Sequence, residues 1–176
     1  MFLRLSPVVT TTYLELVEPE PIRPPSRPAP PGFATRIVHD PAVNAGMYRR
    51  VGADYAWFDR LGWSQRQWRR WAERVETHVV EVDGEIAGYF ELELDSPASA
   101  KVSIFGLREE YQGRGIGGHA LVAALSRGLA LRPRVWLTTC TLDGPHALAN
   151  YRARGMRPFR VETIGAPART IARPRA

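Results

Sequence analysis

Along 10–17 (TTTYLELV) β-branched and aromatic residues crowd a short segment, which predicts an N-terminal strand stopped by Pro19. The prolines that follow offer no ladder donors and cannot continue a helix, so 19–32 is expected as an extended surface loop. From Pro41 the period becomes helical: Met47, Tyr48, Val51, Tyr55 and Phe58 fall on one stripe, with Gly52 as a break. A second helix has a sharper start. Ser64 and Gln67 have the spacing of a capping box, and Trp63 and Trp68 that of a hydrophobic staple. Trp71 continues that face. The aromatic cluster fits either plain core packing or a wall facing a substrate.

Two runs at 78–82 and 86–94 are separated by Asp83-Gly84, which predicts an antiparallel hairpin. In the second run Phe90, Leu92 and Leu94 alternate with Tyr89, Glu91 and Glu93, so both carboxylates share a face. The segment 101–107 (KVSIFGL) reads as a third strand, and Gly106 inside it signals a bulge or a close approach by another backbone or a ligand. A helix over 115–131 follows, with Ile116, Leu121, Val122, Leu125 and Leu129 on its apolar side, then a strand at 135–140. Asp143-Gly144-Pro145 predicts the opening of another helix, and Gly155 its C-terminal cap. A last strand is expected at 156–164, then a frayed tail at 165–176. This order reads as α/β or α+β, with a mixed, mostly antiparallel sheet flanked by helices.

Length and composition narrow the setting. With 176 residues, 44% of them hydrophobic, 1–176 is expected to be a single domain that needs neither metal nor disulfide staples. Cys140 has no second cysteine to pair with, so nothing points to an oxidising compartment. No apolar run approaches the ~20 residues that span a bilayer, and MFLRLSPVV lacks the features of a signal peptide, so a cytoplasmic protein without a membrane partner is expected. The net charge of +6 and pI near 10.1 would suit a polyanionic partner. The positive charge is nearly all arginine, however, spread along the chain with Lys101 the only lysine. That favours a solvated surface over a nucleic-acid partner, with some arginines free to meet phosphates.

The chemistry is concentrated in Tyr111-Gln112-Gly113-Arg114-Gly115-Ile116-Gly117-Gly118, placed after a strand and at the mouth of a helix. Residues with little or no side chain expose consecutive N–H groups there, and the helix dipole adds partial positive charge, which suits a phosphate. Gly113, Gly115 and Gly118 match the dinucleotide fingerprint G-x-G-x-x-G, with Asp143 as a candidate ribose acid. Against that reading, Arg108-Glu109-Glu110-Tyr111-Gln112 separates strand from glycines, and the βαβ series is missing. No lysine follows the glycines, so there is no Walker pattern.

The second motif in the same residues is Gln112-x-x-Gly115-x-Gly117. The phrase FGLREEYQGRGIGGHAL resembles the signature strand, pyrophosphate loop and helix of the GCN5-related N-acetyltransferase (GNAT) superfamily, where a spacer of this kind is expected. Ala147, Tyr151 and Gly155 keep the spacing of that family's later helix; Gly144 stands where the family often has asparagine. The resemblance covers about 77–159.

The resemblance implies strands at 101–107 and 135–140 that splay around the pantetheine arm of acetyl-CoA, with Gly106 as the bulge. Backbone N–H groups of Gln112, Gly113, Arg114, Gly115, Gly117 and Gly118 would take the pyrophosphate. Phe105 and Leu107 would flank the arm, and the Leu107 backbone would polarise the thioester. It further implies direct attack by a primary amine, with Tyr151 protonating the departing thiolate and Glu91, Glu93 or Ser103 handling the ammonium proton. Tyr48, Trp57 and Asp59 would contact the acceptor, a small-molecule or peptide amine. No metal is required, and a homodimer is left open. Competing readings keep Tyr151 as a core residue and both glutamates on a solvated sheet face. A noncatalytic acyl-CoA sensor and a dinucleotide-dependent oxidoreductase are the alternatives of other classes.

Overall fold

Residues 8–164, apart from 54 and 56, are described by the computed structural model; the tail expected at 165–176 lies outside them. The strands are β1 (Val9–Val17), β2 (Ala34–Val38), β3 (Val75–Val82), β4 (Glu85–Ser96), β5 (Ser99–Leu107), β6 (Arg134–Cys140) and β7 (Arg157–Ile164). The helices are α1 (Pro41–Gly52), α2 (Gln65–Ala72), α3 (Ile116–Leu131) and α4 (Ala147–Ala153). All seven strands form one sheet in the order β2-β3-β4-β5-β6-β1-β7. Every neighbouring pair is antiparallel except β5 and β6. Among the described residues no helix is long and apolar enough to cross a membrane.

Local signals account for several boundaries. Asp83 and Gly84 both have positive φ (52° and 80°), as a two-residue hairpin with the right twist requires. Ser64 caps α2 with both halves of the capping box in place, and the Trp63 and Trp68 rings lie 5.0 Å apart, closing the staple. Gly155, at φ 103°, ends α4 in the left-handed conformation that glycine adopts without strain.

Three expectations are corrected and one strand is added. The helical stripe stops at Gly52, so Tyr55 and Phe58 belong to the α1–α2 connection, where Phe58 is exposed. The strand β2 was not anticipated, since ATRIV is exposed along most of its length and carries no burial pattern. Asp143 does not cap α4, which starts at Ala147; its carboxylate instead accepts from the Thr139 hydroxyl (2.6 Å) and the Cys140 amide (2.9 Å), closing the end of β6. Gly106 is not a bulge. Tyr89 pairs with Gly106 in regular register, and the extra residue of β5 is Ser103, between the pairs Glu91–Ile104 and Leu92–Val102.

Alternation in β4 sends side chains into two cores. Phe90 and Leu92 join Leu107, Leu121, Leu125 and Leu137 beneath α3, while Tyr89 joins Tyr48, Val51, Trp68 and Trp71 beneath α1 and α2. With both faces of the central sheet covered, open space appears between β5 and β6, where the ladder ends after two pairs.

Candidate active site

The two parallel strands share only two pairs, Ala100–Val135 and Lys101–Trp136, before they part. Beyond that point the β6-facing edge of β5 has no strand partner. Arg108 N–H donates to the Ala87 carbonyl on β4 (2.9 Å), so the alternation of amide direction turns the backbone of Leu107 and Phe105 toward the gap. The gap is a cleft of about 730 Å³, lined by both strands, the glycine turn, α4 and the α1–α2 connection.

The glycines of the turn have different reasons to be glycine. Gly113 (φ 69°) and Gly115 (φ 77°) are left-handed, and a Cβ on either would meet nothing within 4 Å, so backbone conformation alone selects them. The space before them is open. Gly115 is also the N-cap of α3 and brings no side chain to its orphan N–H groups, which leaves them available to an anion. Gly118 is glycine because of crowding: a Cβ there would lie 2.9 Å from Pro25 and from the Arg154 guanidinium. The proline-rich loop thus crosses the first turn of α3, fixed by Arg23 N–H to the Arg154 carbonyl (3.0 Å) and by His119 against the Arg27 carbonyl (3.0 Å).

The Gln112 side chain donates to the Leu107 carbonyl (3.2 Å) and accepts from the Tyr55 hydroxyl (2.9 Å). Tyr55 therefore bridges the α1–α2 connection and the glycine turn. Asn150 donates to the Gly117 carbonyl (3.2 Å), tying α4 to the same turn. Neither contact was read from the sequence. Asn150 directly precedes Tyr151 on a short helix, which was the available signal, whereas nothing local marks Tyr55.

Tyr151 is 7% exposed, packs edge-on against Phe105 (6.1 Å between centroids) and lines the cleft. Burial, and then the Asp143 charge, push its phenol well above the ordinary range, so it stays protonated. Ser103, Phe105, Leu107, Gln112, Gly113, Gly117 and Gly118 also line the cleft; Arg114 and Gly115 stand outside the lining, the Arg114 guanidinium lying 5.1 Å over the Tyr111 ring. The Ser103 hydroxyl donates to the Glu91 carbonyl at 3.4 Å.

The candidate bases on β4 lie away from the cleft, and the expectation of a solvated face fails for Glu91, which is 0% exposed. Its carboxylate accepts from Asn44 Nδ2 (2.7 Å), Trp71 Nε1 (2.7 Å) and Arg60 (3.4 Å). Burial raises the Glu91 pKa, and these donors oppose the rise. The Arg60 guanidinium sits 3.9 Å over the Trp71 ring, with Trp63 and Tyr48 also within reach. Glu93 faces Lys101 (3.5 Å) and Arg74 (3.9 Å). Of the acceptor candidates, Trp57 lines the cleft, while Tyr48 is 1% exposed in the core. The Tyr48 hydroxyl donates to Asp59 (2.5 Å), and burial followed by that bond pushes its pKa up to about 12. Asp59 lies on the surface beside Arg60 (3.7 Å).

A family model described as "Acetyltransferase (GNAT) family" matches residues 44–156, from α1 through the end of α4. The chain belongs to the GNAT acetyltransferase family. Solved GNAT structures share the fold. A GCN5-related N-acetyltransferase from Sphaerobacter thermophilus superposes with a TM-score of 0.65 at 19% identity, covering 90% of this chain and 51% of that one. For a GCN5-related N-acetyltransferase from Kribbella flavida the values are 0.63 and 16%, over 96% and 61%. For a GNAT-family acetyltransferase from Novosphingobium aromaticivorans they are 0.60 and 20%, over 91% and 64%. This chain thus spans from about half to under two thirds of their lengths. No curated protein sequence matches it. At these identities the GNAT neighbours speak for the fold.

Proposed function

We propose that this protein transfers an acetyl group from acetyl-CoA to a primary amine by direct attack in a ternary complex. The carrying observation is the parting of β5 from β6 after two pairs, which opens a cleft that ends on the uncapped, left-handed glycine turn of α3. The residues present fit a pyrophosphate ligand: the space at Gly113 and Gly115 is open, and no side chain caps the helix. Backbone N–H groups of Gly113, Arg114, Gly115, Gly117 and Gly118 hold the phosphates, whereas the expected Gln112 donor is already given to the Glu109 carbonyl (3.0 Å), and the gap-facing edge of β5 takes the pantetheine arm once the Gln112 side chain leaves the Leu107 carbonyl. The Leu107 N–H then stabilises the oxyanion that forms on the thioester. As the nitrogen bonds to the carbonyl carbon, the C=O π pair moves to oxygen; when it returns to re-form the carbonyl, the C–S bond breaks with its electron pair going to sulfur, and Tyr151 donates its phenolic proton there. One ammonium proton leaves to solvent before attack, and the proton lost from nitrogen afterwards balances the one that Tyr151 regains.

The test is thermal. Acetyl-CoA should raise the melting temperature, because it binds only the folded state, and NAD should not. Gly115→Glu should abolish the shift by placing a charged side chain at a left-handed position beside the phosphate. A variant that still binds acetyl-CoA normally would sink the reading. Binding without free-thiol release from any amine would leave a ligand-sensing module in place of an enzyme.

A further inference from the structure

Leu107 ends β5, and its carbonyl faces the gap, since the following amide, of Arg108, is given to Ala87 on β4 (2.9 Å). The ladder with β6 has already ended at Lys101–Trp136, so that strand does not reach this carbonyl. A side chain does. Gln112 reaches back over the single turn at 109–111 and donates Nε2 to it (3.2 Å), while its own N–H is anchored on the Glu109 carbonyl (3.0 Å). The protein thereby supplies the donor that a free strand edge otherwise takes from another strand or a ligand.

The Gln112 amide can do this in one orientation only. Reversed, its Oε1 would face the Leu107 oxygen, acceptor against acceptor. What holds it the right way is Tyr55, whose hydroxyl donates to Oε1 (2.9 Å). Tyr55 is placed in turn by its backbone and by space. Its N–H donates to the Gly52 carbonyl at the end of α1 (3.1 Å). Its ring lies against Gly144, where a Cβ would come 3.2 Å from the ring and 3.3 Å from the hydroxyl oxygen. A longer side chain at 144, such as the asparagine common in the family, would need the ring to move. Tyr55, Leu107, Gln112 and Gly144 all line the cleft.

We propose that Tyr55 is a positioning residue that holds the Gln112 side chain in the place of the cofactor's arm, so that the empty site is filled by the protein itself. The proposal rests on the transferase reading and deepens it. An amide N–H of the pantetheine arm competes with Gln112 Nε2 for the Leu107 carbonyl, and entry of the arm breaks the relay to Tyr55. A nucleotide that brings phosphates to the glycine turn without an arm leaves the relay intact. The hydrogen bond between Tyr55 and Gln112 is open to water, so its contribution is at the low end for such bonds.

The experiment measures CoA and ADP binding by calorimetry to the wild-type protein, Tyr55→Phe, Gln112→Ala and the double variant, with the melting temperature of each as the check on folding. Tyr55→Phe should tighten CoA about threefold, the worth of one solvent-accessible hydrogen bond, and leave ADP unchanged. Gln112→Ala, which removes the competing amide outright, should tighten CoA at least as much, again without effect on ADP. The double variant should equal Gln112→Ala alone, because Tyr55 acts only through Gln112. Looser packing of the connection would not raise affinity for one ligand and spare the other. Unchanged or weaker CoA binding by Tyr55→Phe would overturn the proposal, as would an equal change for CoA and ADP, or an effect of Tyr55→Phe that persists without Gln112. Absence of CoA binding by the wild-type protein would instead sink the transferase reading.

Discussion

At Tyr151 packing and chemistry can be separated by a single atom. Its ring packs against Phe105 while the residue lines the cleft, so Tyr151→Phe keeps the packing and deletes only the phenol. If the phenol protonates the thiolate, kcat should fall by ~10²–10⁴ in a free-thiol assay, with the acetyl-CoA melting shift retained. The deficit should shrink as pH rises, because a thiolate is a fair leaving group without help. Wild-type turnover at pH 7 would assign the proton to water. At this scale the sequence was legible where the constraint is local: Gly113 and Gly115 owe their identity to their own φ angles, which the spacing of the motif reveals. Gly106 and Gly52 owe theirs to Trp57 and Val51 from another part of the chain. The sequence could therefore signal a close approach at Gly106 but not name what approaches. For Glu91 the alternation gave the face correctly; that α1 and α2 bury this face is a tertiary fact.

Among the elements, α2 shows how a short helix is fixed by its ends. Its eight residues are too few to be stable alone, and five are charged or amide side chains, so the capping box and the tryptophan staple must define where it begins. Ser64→Ala removes the acceptor for the Gln67 N–H, and chemical denaturation should show a loss of about 1 kcal/mol. An unchanged midpoint would mean that the staple between Trp63 and Trp68 suffices. Such a start was readable because box and staple lie within six positions of one another. The start of α4 was misread for the converse reason. Asp143 has the residue type of a cap, yet its carboxylate is spent on the end of β6, and only the fold of the preceding turn shows which backbone N–H lies nearest.

For the whole molecule, one ion pair ties the sheet to a helix packed on it. Glu76 on β3 accepts from Arg127 on α3 through both oxygens (2.7 and 2.8 Å), with His78 at 2.6 Å. Arg127, and then His78, lower the Glu76 pKa from 4.5 to about 2. A carboxyl depressed in the folded state stabilises it above the unfolded value and loses that contribution as pH falls through the folded one. Melting temperature should therefore drop between about pH 4.5 and pH 2, and Glu76→Gln should flatten the drop; solvent access to the pair keeps the effect modest. Identical acid profiles for variant and wild type would remove Glu76 as a source of acid sensitivity. The fold class was legible because alternation and period change are repeated along the chain. The place of β1 was not, since strand order depends on contacts between segments far apart in sequence.

The position of β1 also has a bearing on synthesis. This strand lies between β6 and β7, pairing Thr11 with Cys140 on one side and Val9 with Ile164 on the other. It leaves the ribosome before either of its partners is made. Until they emerge, its amides have no ladder to join, and β6, as one wall of the cleft, has nothing to brace it from outside. Pairing over such separations is slow, and an unpaired strand is exposed to the wrong partners meanwhile. The proline-rich loop that follows β1 cannot extend it into a hairpin of its own. The nascent strand is thereby kept available for its later neighbours, so that the cleft is completed only after β6 and β7 have been made.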